Sequence, residues 1–122
     1  MTDDHMELAP YRRYLDMLGE GVLGYQRCEL CDRAIFQPRL NCTDCGSTRL
    51  RWEASSGRGT VYSATEVITK EGRYNVVLID LDDGFRMMST IVGNQGGSIG
   101  SRVTGHVERM GEAARFVFEV IA

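Results

Sequence analysis

Cys28-Glu-Leu-Cys31 and Cys42-Thr-Asp-Cys45 decide how this chain is read. The protein has four cysteines, and all of them lie in these two Cys-x-x-Cys pairs. Ten residues separate the pairs, the spacing of the two knuckles of a zinc ribbon. The metal sets this requirement. A structural Zn2+ takes four soft ligands tetrahedrally at about 2.3 Å, and each Cys-x-x-Cys turn delivers two sulfurs to one ion. The residues between the pairs are expected to form a short hairpin that sets the second pair opposite the first. Two disulfides and a redox pair are the alternatives. Disulfides need an oxidising compartment, and nothing in the sequence suggests export. A thioredoxin-type site has one such pair at a helix start, not two around a hairpin. Cys28, Cys31, Cys42 and Cys45 are therefore expected to hold one structural Zn2+. A closed four-thiolate shell leaves no position for a catalytic water and no thiol for nucleophilic catalysis.

Upstream, residues 1–7 are expected to fray. A short helix is expected from Ala9 to Leu18, with Pro10 in its first turn. Leu8, Tyr11, Tyr14, Leu15 and Leu18 recur at helical steps, and Gly19 and Gly21 end the pattern. Tyr11 and Tyr14 suit either a core or an interface. Val22 to Arg27 reads as a strand entering the first knuckle, and Ala34 to Phe36 as one leaving it. Gly46 follows the second knuckle, where the turn requires positive φ. Leu50 and Trp52 lie on a return strand, with Trp52 expected to pack the ribbon onto the next domain.

Downstream, Ser55-Ser56-Gly57-Arg58-Gly59 reads as a flexible hinge. Strands are then expected at Thr60–Ile68, Tyr74–Leu81, Phe85–Val92, Val103–Met110 and Arg115–Ile121. Asp82-Asp83-Gly84 is a hairpin turn rather than a cation site built on Asp80, Asp82 and Asp83. Five strands without a convincing helix fit a five-stranded oligonucleotide/oligosaccharide-binding (OB) barrel. The fold class is therefore mainly β, with an N-terminal short helix, a rubredoxin-like zinc ribbon and an OB-fold barrel. Gly93-Asn-Gln-Gly-Gly-Ser-Ile-Gly100 matches no phosphate-loop pattern and is expected to be a plain loop. His106 and Glu108 share a strand face, but no nucleophile accompanies them. Met87 and Met88 are expected to serve sheet packing.

At 122 residues, 43% hydrophobic and 25% charged, the chain has the size and composition of a soluble globular domain. No apolar run approaches the roughly 20 residues of a membrane helix. The acidic start, Met1-Thr-Asp-Asp-His5, does not read as a signal peptide, and the cytoplasm is the expected setting. The net charge of −3 argues against a nucleic-acid binder. Residues 27–58 are the one basic segment, at +2 with six arginines and no lysine. Such a segment could meet a phosphate through bidentate contacts or simply solvate the metal module.

Taken together, several stretches carry a resemblance to a known family. They are Gly24-Tyr-Gln-Arg-Cys28, Phe36-Gln-Pro-Arg39, Cys42-Thr-Asp-Cys-Gly-Ser47, Ser56-Gly-Arg-Gly-Thr-Val-Tyr62 and Leu81-Asp-Asp-Gly-Phe85. The chain resembles the acyl-CoA-associated zinc-ribbon/OB-fold family, formerly a domain of unknown function and usually encoded beside thiolase-like enzymes. The likeness runs from about Pro10 to Ile121. Many members have two prolines before the arginine, where this chain has Gln37-Pro38-Arg39. The expected organisation is a helical segment at 1–21, a zinc ribbon at 22–54 and a barrel at 55–122.

The resemblance implies a non-catalytic accessory subunit of an acyltransferase, aldolase or hydratase that acts on acyl-CoA. The partner would carry the catalytic groups, and this chain would stabilise it or help bind acyl-CoA. Arg39, Arg58 and Arg73 are the candidates for a CoA phosphate contact. The second reading is a single-stranded nucleic-acid binder, which needs a basic groove with exposed aromatics. The barrel segment instead carries a net −2.

Overall fold

The computed structural model describes residues 2–93, 98–111 and 113–121. Helix α1 (Thr2–Gly19) leads into three short strands, β1 (Gly24–Cys28), β2 (Ala34–Ile35) and β3 (Leu50–Ala54). Five longer strands follow: β4 (Arg58–Thr69), β5 (Gly72–Leu81), β6 (Arg86–Ser89), β7 (Arg102–Met110) and β8 (Ala113–Val120). No described helix is long and apolar enough to cross a membrane.

The helix spans Thr2–Gly19 rather than Ala9–Leu18, so Pro10 lies inside it rather than in its first turn. Proline removes one N–H, which deprives the Met6 carbonyl of its partner without ending the helix. The other end stops where the glycines indicate. Gly21 adopts φ 87°. Val22 N–H donates to the Met17 carbonyl at 2.9 Å and Gly21 N–H to the Leu18 carbonyl at 3.0 Å, a Schellman closure.

The first three strands form a sheet of order β2-β1-β3, and the other five a sheet of order β6-β5-β4-β7-β8. Each pairing within these sheets is antiparallel. β4 pairs with β5 along nearly its whole length and with β7 only from Arg58 to Thr60. A register shift between Val61 and Ser63 bends β4, so that one strand serves both halves of the barrel. A parallel bridge from Ile91 to Phe118 brings the two ends of the sheet together. There Val92 N–H donates to the Phe118 carbonyl at 2.8 Å, and Phe118 N–H to the Thr90 carbonyl at 3.0 Å. The result is a nearly closed five-stranded barrel of OB type. The expected Gly93–Ser101 loop lies partly outside the described residues, at 94–97.

Alternation along the strands fills the barrel. Val61, Val77, Ile79, Met87, Val103 and Phe118 point inward and are buried. This core runs without a break into Leu18, Leu23 and Tyr25, so helix, ribbon and barrel share one apolar cluster. Trp52, expected to make the joint, is only half-buried and closes with Met17 over Gly24. The aromatic joint is built by other rings. Phe36 stacks on Phe85 at 5.1 Å with their planes 3° apart, and Tyr25 meets Phe85 at 4.9 Å.

The expected flexible hinge at residues 55–59 is a tied crossing. The Asp83 carboxylate accepts from the Ser55 hydroxyl at 2.5 Å and from the Ser56 N–H at 3.3 Å. Gly57 N–H donates to the Ser55 hydroxyl at 3.0 Å, and Gly105 N–H donates to the Gly57 carbonyl at 2.8 Å. Arg58 and Gly59 already belong to β4. Gly59 serves close approach rather than flexibility. A Cβ there would lie 2.5 Å from the Asp80 carbonyl oxygen and 2.8 Å from Ile79 Cγ2. Gly59→Ala is therefore expected to force β4 away from β5 and destabilise the fold by about 1–3 kcal/mol, the usual range for overpacking. Chemical denaturation checks this, and an unchanged midpoint would contradict the close approach.

Candidate functional site

Both knuckles are built by one backbone device. Cys28 closes β1, and Asp32, four residues on, turns the chain at φ 64°. Its N–H donates to the Cys28 carbonyl at 2.9 Å. Cys42 and Gly46 repeat the arrangement, with φ 75° at Gly46 and 3.0 Å from its N–H to the Cys42 carbonyl. Asp tolerates this left-handed conformation better than most residues that carry a Cβ. The residues between the pairs do not form a hairpin of their own. The hairpin is β1–β2, with the first knuckle as its turn and Gln26 opposite Ile35.

The four sulfurs converge. All lie within 4.8 Å of one another. Cys28 Sγ stands 3.5 Å from Cys45 Sγ, and Cys31 Sγ 3.5 Å from Cys42 Sγ. A tetrahedron with bonds of about 2.3 Å has edges of roughly 3.8 Å, so the cage fits one zinc ion. Cys28 and Cys42 are buried with Ile35 against Leu50, whereas Cys31 and Cys45 face solvent. The backbone N–H of Cys31, helped by that of Leu30, holds the Cys28 thiol down to about 6 against the opposing effect of burial. The N–H groups of Cys45 and Asp44 act likewise on Cys42. At Cys28 and Cys42 these amides favour the thiolate, the form that binds metal. At Cys31 and Cys45 the Arg33 and Ser47 amides are outweighed by burial and the neighbouring thiols, and both thiols are pushed up. Zn2+ is the structural cofactor of the module, and four protein sulfurs complete its shell.

The side chains next to the cage tie it to the barrel. Arg27 precedes Cys28 and donates to Glu53 Oε1 at 3.0 Å, to the Tyr25 hydroxyl at 3.1 Å and to the Asp83 carbonyl at 2.9 Å. Arg27, then Tyr25 and Arg51, hold the Glu53 carboxyl down to about 2. On the other face of β1, the buried Gln26 clamps the backbone of Arg39. Its Nε2 donates to the Arg39 carbonyl at 2.9 Å, and its Oε1 accepts from the Arg39 N–H at 2.8 Å.

The three arginines proposed from the sequence are not brought together. Arg39 lines a cleft of about 350 Å³ between ribbon and barrel, together with Arg33, Arg86, Thr43, Phe36 and Phe85. Arg58 opens β4, whereas Arg73 pairs with Ile68 near the far end of the same hairpin. Ten residues of strand separate these positions, roughly 33 Å. Arg33 and Arg86 are the cleft cations that sequence reading missed. Arg33 follows the first knuckle directly, and Arg86 follows the Asp-Asp-Gly turn, so only the folded chain makes them neighbours. Arg33 pairs with Asp44 at 2.9 Å, and Arg86 pairs with Asp80 and lies 3.4 Å above the Tyr62 ring. Arg39 makes no ion pair among the described residues. His106 is exposed on β7, opposite Val117.

A four-thiolate ribbon sharing its core with a small barrel of this topology defines a class, the rubredoxin-like zinc ribbon with an OB-fold. Family models match in that order. The ChsH2 rubredoxin-like zinc ribbon domain matches residues 15–51, and the ChsH2 C-terminal OB-fold domain matches residues 52–108. The chain belongs to this ChsH2 family of zinc-ribbon/OB-fold proteins. Among solved structures, a chain of an Ltp2-ChsH2(DUF35) aldolase superimposes with a TM-score of 0.82 at 25% identity, covering 91% of this chain and 94% of that one. A protein of unknown function from the DUF35 family of Sulfolobus solfataricus superimposes with a TM-score of 0.69 at 14% identity, over 95% of this chain and 88% of that one. The latter likeness is one of fold. A search of curated proteins found no match.

Cys42→Ser is expected to abolish stoichiometric zinc and to release the ribbon amides to hydrogen exchange. Metal analysis and exchange mass spectrometry check this, and retention of zinc would contradict the four-sulfur cage. The Glu53 cluster generates a pH dependence. Its folded value, about 2, lies below the ordinary 4.5. The stabilisation is therefore complete above pH 4.5 and is lost as the pH falls from there towards 2. The stability difference between wild type and Glu53→Gln should shrink across that window. A difference that is flat in pH would contradict the assignment.

Proposed function

We propose that this chain is a non-catalytic accessory subunit of an acyl-CoA-processing enzyme with a thiolase-like catalytic partner. The likeness to a chain of the Ltp2-ChsH2 aldolase, over 91% of this chain and 94% of that one, carries the reading. That assembly is named for two components and for an aldolase activity. The chemistry of this chain is consistent with a supporting role. Its thiols all belong to the metal cage, and a closed zinc shell activates no water. Stabilising the partner and helping to bind acyl-CoA are the two contributions we assign to it. Arg39, with Arg33 and Arg86 around the same cleft, is the best situated of the three arginines for a CoA phosphate. The proposed setting is the cytoplasm, where thiolates stay reduced.

The nucleic-acid reading is less well supported. Three of the barrel's cations are already engaged, with Arg102 on Asp82 at 2.7 Å, Arg115 on Glu108 at 2.6 Å and Arg73 on Glu66 at 3.2 Å. A phosphate backbone would have to compete with each carboxylate.

Purification of the tagged chain from its own cells at moderate salt should recover a thiolase-superfamily or other acyl-CoA enzyme in stoichiometric amount. A chain that remains monomeric in the presence of those enzymes, yet retains oligonucleotides, would overturn this reading in favour of the second.

A further inference from the structure

Gln26 carries the one buried amide side chain among the described residues, at 4% exposure, and both ends of that amide are spent on a single residue. Its Nε2 donates to the Arg39 carbonyl at 2.9 Å, and its Oε1 accepts from the Arg39 N–H at 2.8 Å. We infer that Gln26 is a positioning residue, which holds the Arg39 backbone so that the guanidinium is ready for a phosphate group in the cleft between ribbon and barrel. The inference rests on the reading of Arg39 as a CoA phosphate contact and names the residue that prepares it.

The segment that carries Arg39 has little else to hold it. Its ends are fixed, at Phe36 by the stack on Phe85 and at Cys42 by the metal cage. Between them, from Gln37 to Asn41, the Arg39 N–H and carbonyl are the backbone groups that have a hydrogen-bond partner among the described residues. Arg39 itself is exposed, so the clamp fixes a residue that core packing does not need. Burying an amide costs free energy unless it is hydrogen-bonded, and an apolar side chain of the same length would fill the space without that cost. The amide at this position therefore serves the residue it holds. The metal brings the two together, because Gln26 lies two residues before Cys28 and Arg39 three before Cys42.

Arg39 is also the cleft cation left free to act. Arg33 is paired with Asp44 at 2.9 Å and Arg86 with Asp80, whereas Arg39 makes no ion pair among the described residues. The lining of the cleft holds these three arginines and no carboxylate. A guanidinium takes a phosphate through two parallel N–H donors, so its orientation matters more than that of a point charge. A backbone fixed before binding spares the complex an ordering cost that would otherwise come out of the affinity. Loss of that preparation corresponds to roughly tenfold in the dissociation constant.

The test uses the full-length, zinc-loaded chain with CoA as the probe, and affinity is measured by calorimetry. Arg39→Gln removes the cation and should weaken CoA binding about tenfold. Gln26→Met keeps the buried volume but removes both hydrogen bonds. It should retain one zinc per chain and also weaken CoA about tenfold. In the Arg39→Gln background the same change should cost less than twofold, because Gln26 acts through Arg39. Leu50→Val loosens the core beside the cage and should lower the melting temperature while leaving CoA affinity within twofold. Hydrogen exchange on the wild-type chain gives a reading that needs no variant: the Arg39 amide should be protected before CoA is added. Unchanged affinity in Gln26→Met, equal losses in both backgrounds, or an Arg39 amide that exchanges freely in the unliganded chain overturns the positioning role and leaves the accessory-subunit reading intact. A wild-type chain that does not bind CoA, or an Arg39→Gln chain that binds it as well as wild type, removes the phosphate contact and this inference with it.

Discussion

Four thiolates around one zinc ion hold a segment that has almost no apolar core of its own. The cluster beside the sulfurs consists of Cys28, Ile35 and Cys42, with Leu50 packed against it. Three strands of five residues or fewer cannot bury enough surface to offset the entropy of ordering them. The metal supplies that free energy instead. It also sets geometry, because Cys28 is both a ligand and the last residue of β1. Once its sulfur is anchored, the direction of β1 is set, and with it the positions of Tyr25, Gln26 and Arg27.

Those three residues connect the cage to everything else. Tyr25 sends its ring into the shared core against Phe85. Gln26 clamps Arg39 on the opposite face. Arg27 reaches the barrel at the Asp83 carbonyl, and the Asp83 carboxylate holds the crossing between the two sheets. Ribbon and barrel are thus joined by an aromatic stack and a hydrogen-bonded turn within one core. A rigid joint of this kind suits a subunit that presents surfaces to a partner. The metal then acts as a brace, and two clefts of different chemistry flank Phe36: a basic one at Arg39 and an apolar one along α1.

Features that depend on neighbours in the chain were legible from the sequence. Cys-x-x-Cys spacing is local, so the ligand set and the positive-φ glycine at Gly46 could be read directly. Alternation over eight to twelve residues is local as well, which is why the barrel strands fall close to their expected spans. Features set by distant partners were not legible. Ser55 to Gly59 has the composition of a flexible linker, and only residues a long way on in the chain, Asp83 and Gly105, tie it down. Trp52 is the residue one would choose for the joint, yet Phe36 and Phe85 fill the space that β1 leaves. Arg58 and Arg73 looked equivalent to Arg39 until β4 separated them by its own length.

By itself, then, the sequence determined the metal, its four ligands, the order of helix, ribbon and barrel, and the absence of a free thiol for chemistry. Each of these comes from residue type and short-range spacing. Only the tertiary structure decided which arginines share a cleft, what closes the barrel and where apolar surface remains open. Those outcomes depend on residues far apart in the chain being packed at van der Waals distance, and packing is a property of the assembled core. The two Cys-x-x-Cys pairs fix where the chain is pinned, and the barrel folded against them fixes what the pinned chain presents.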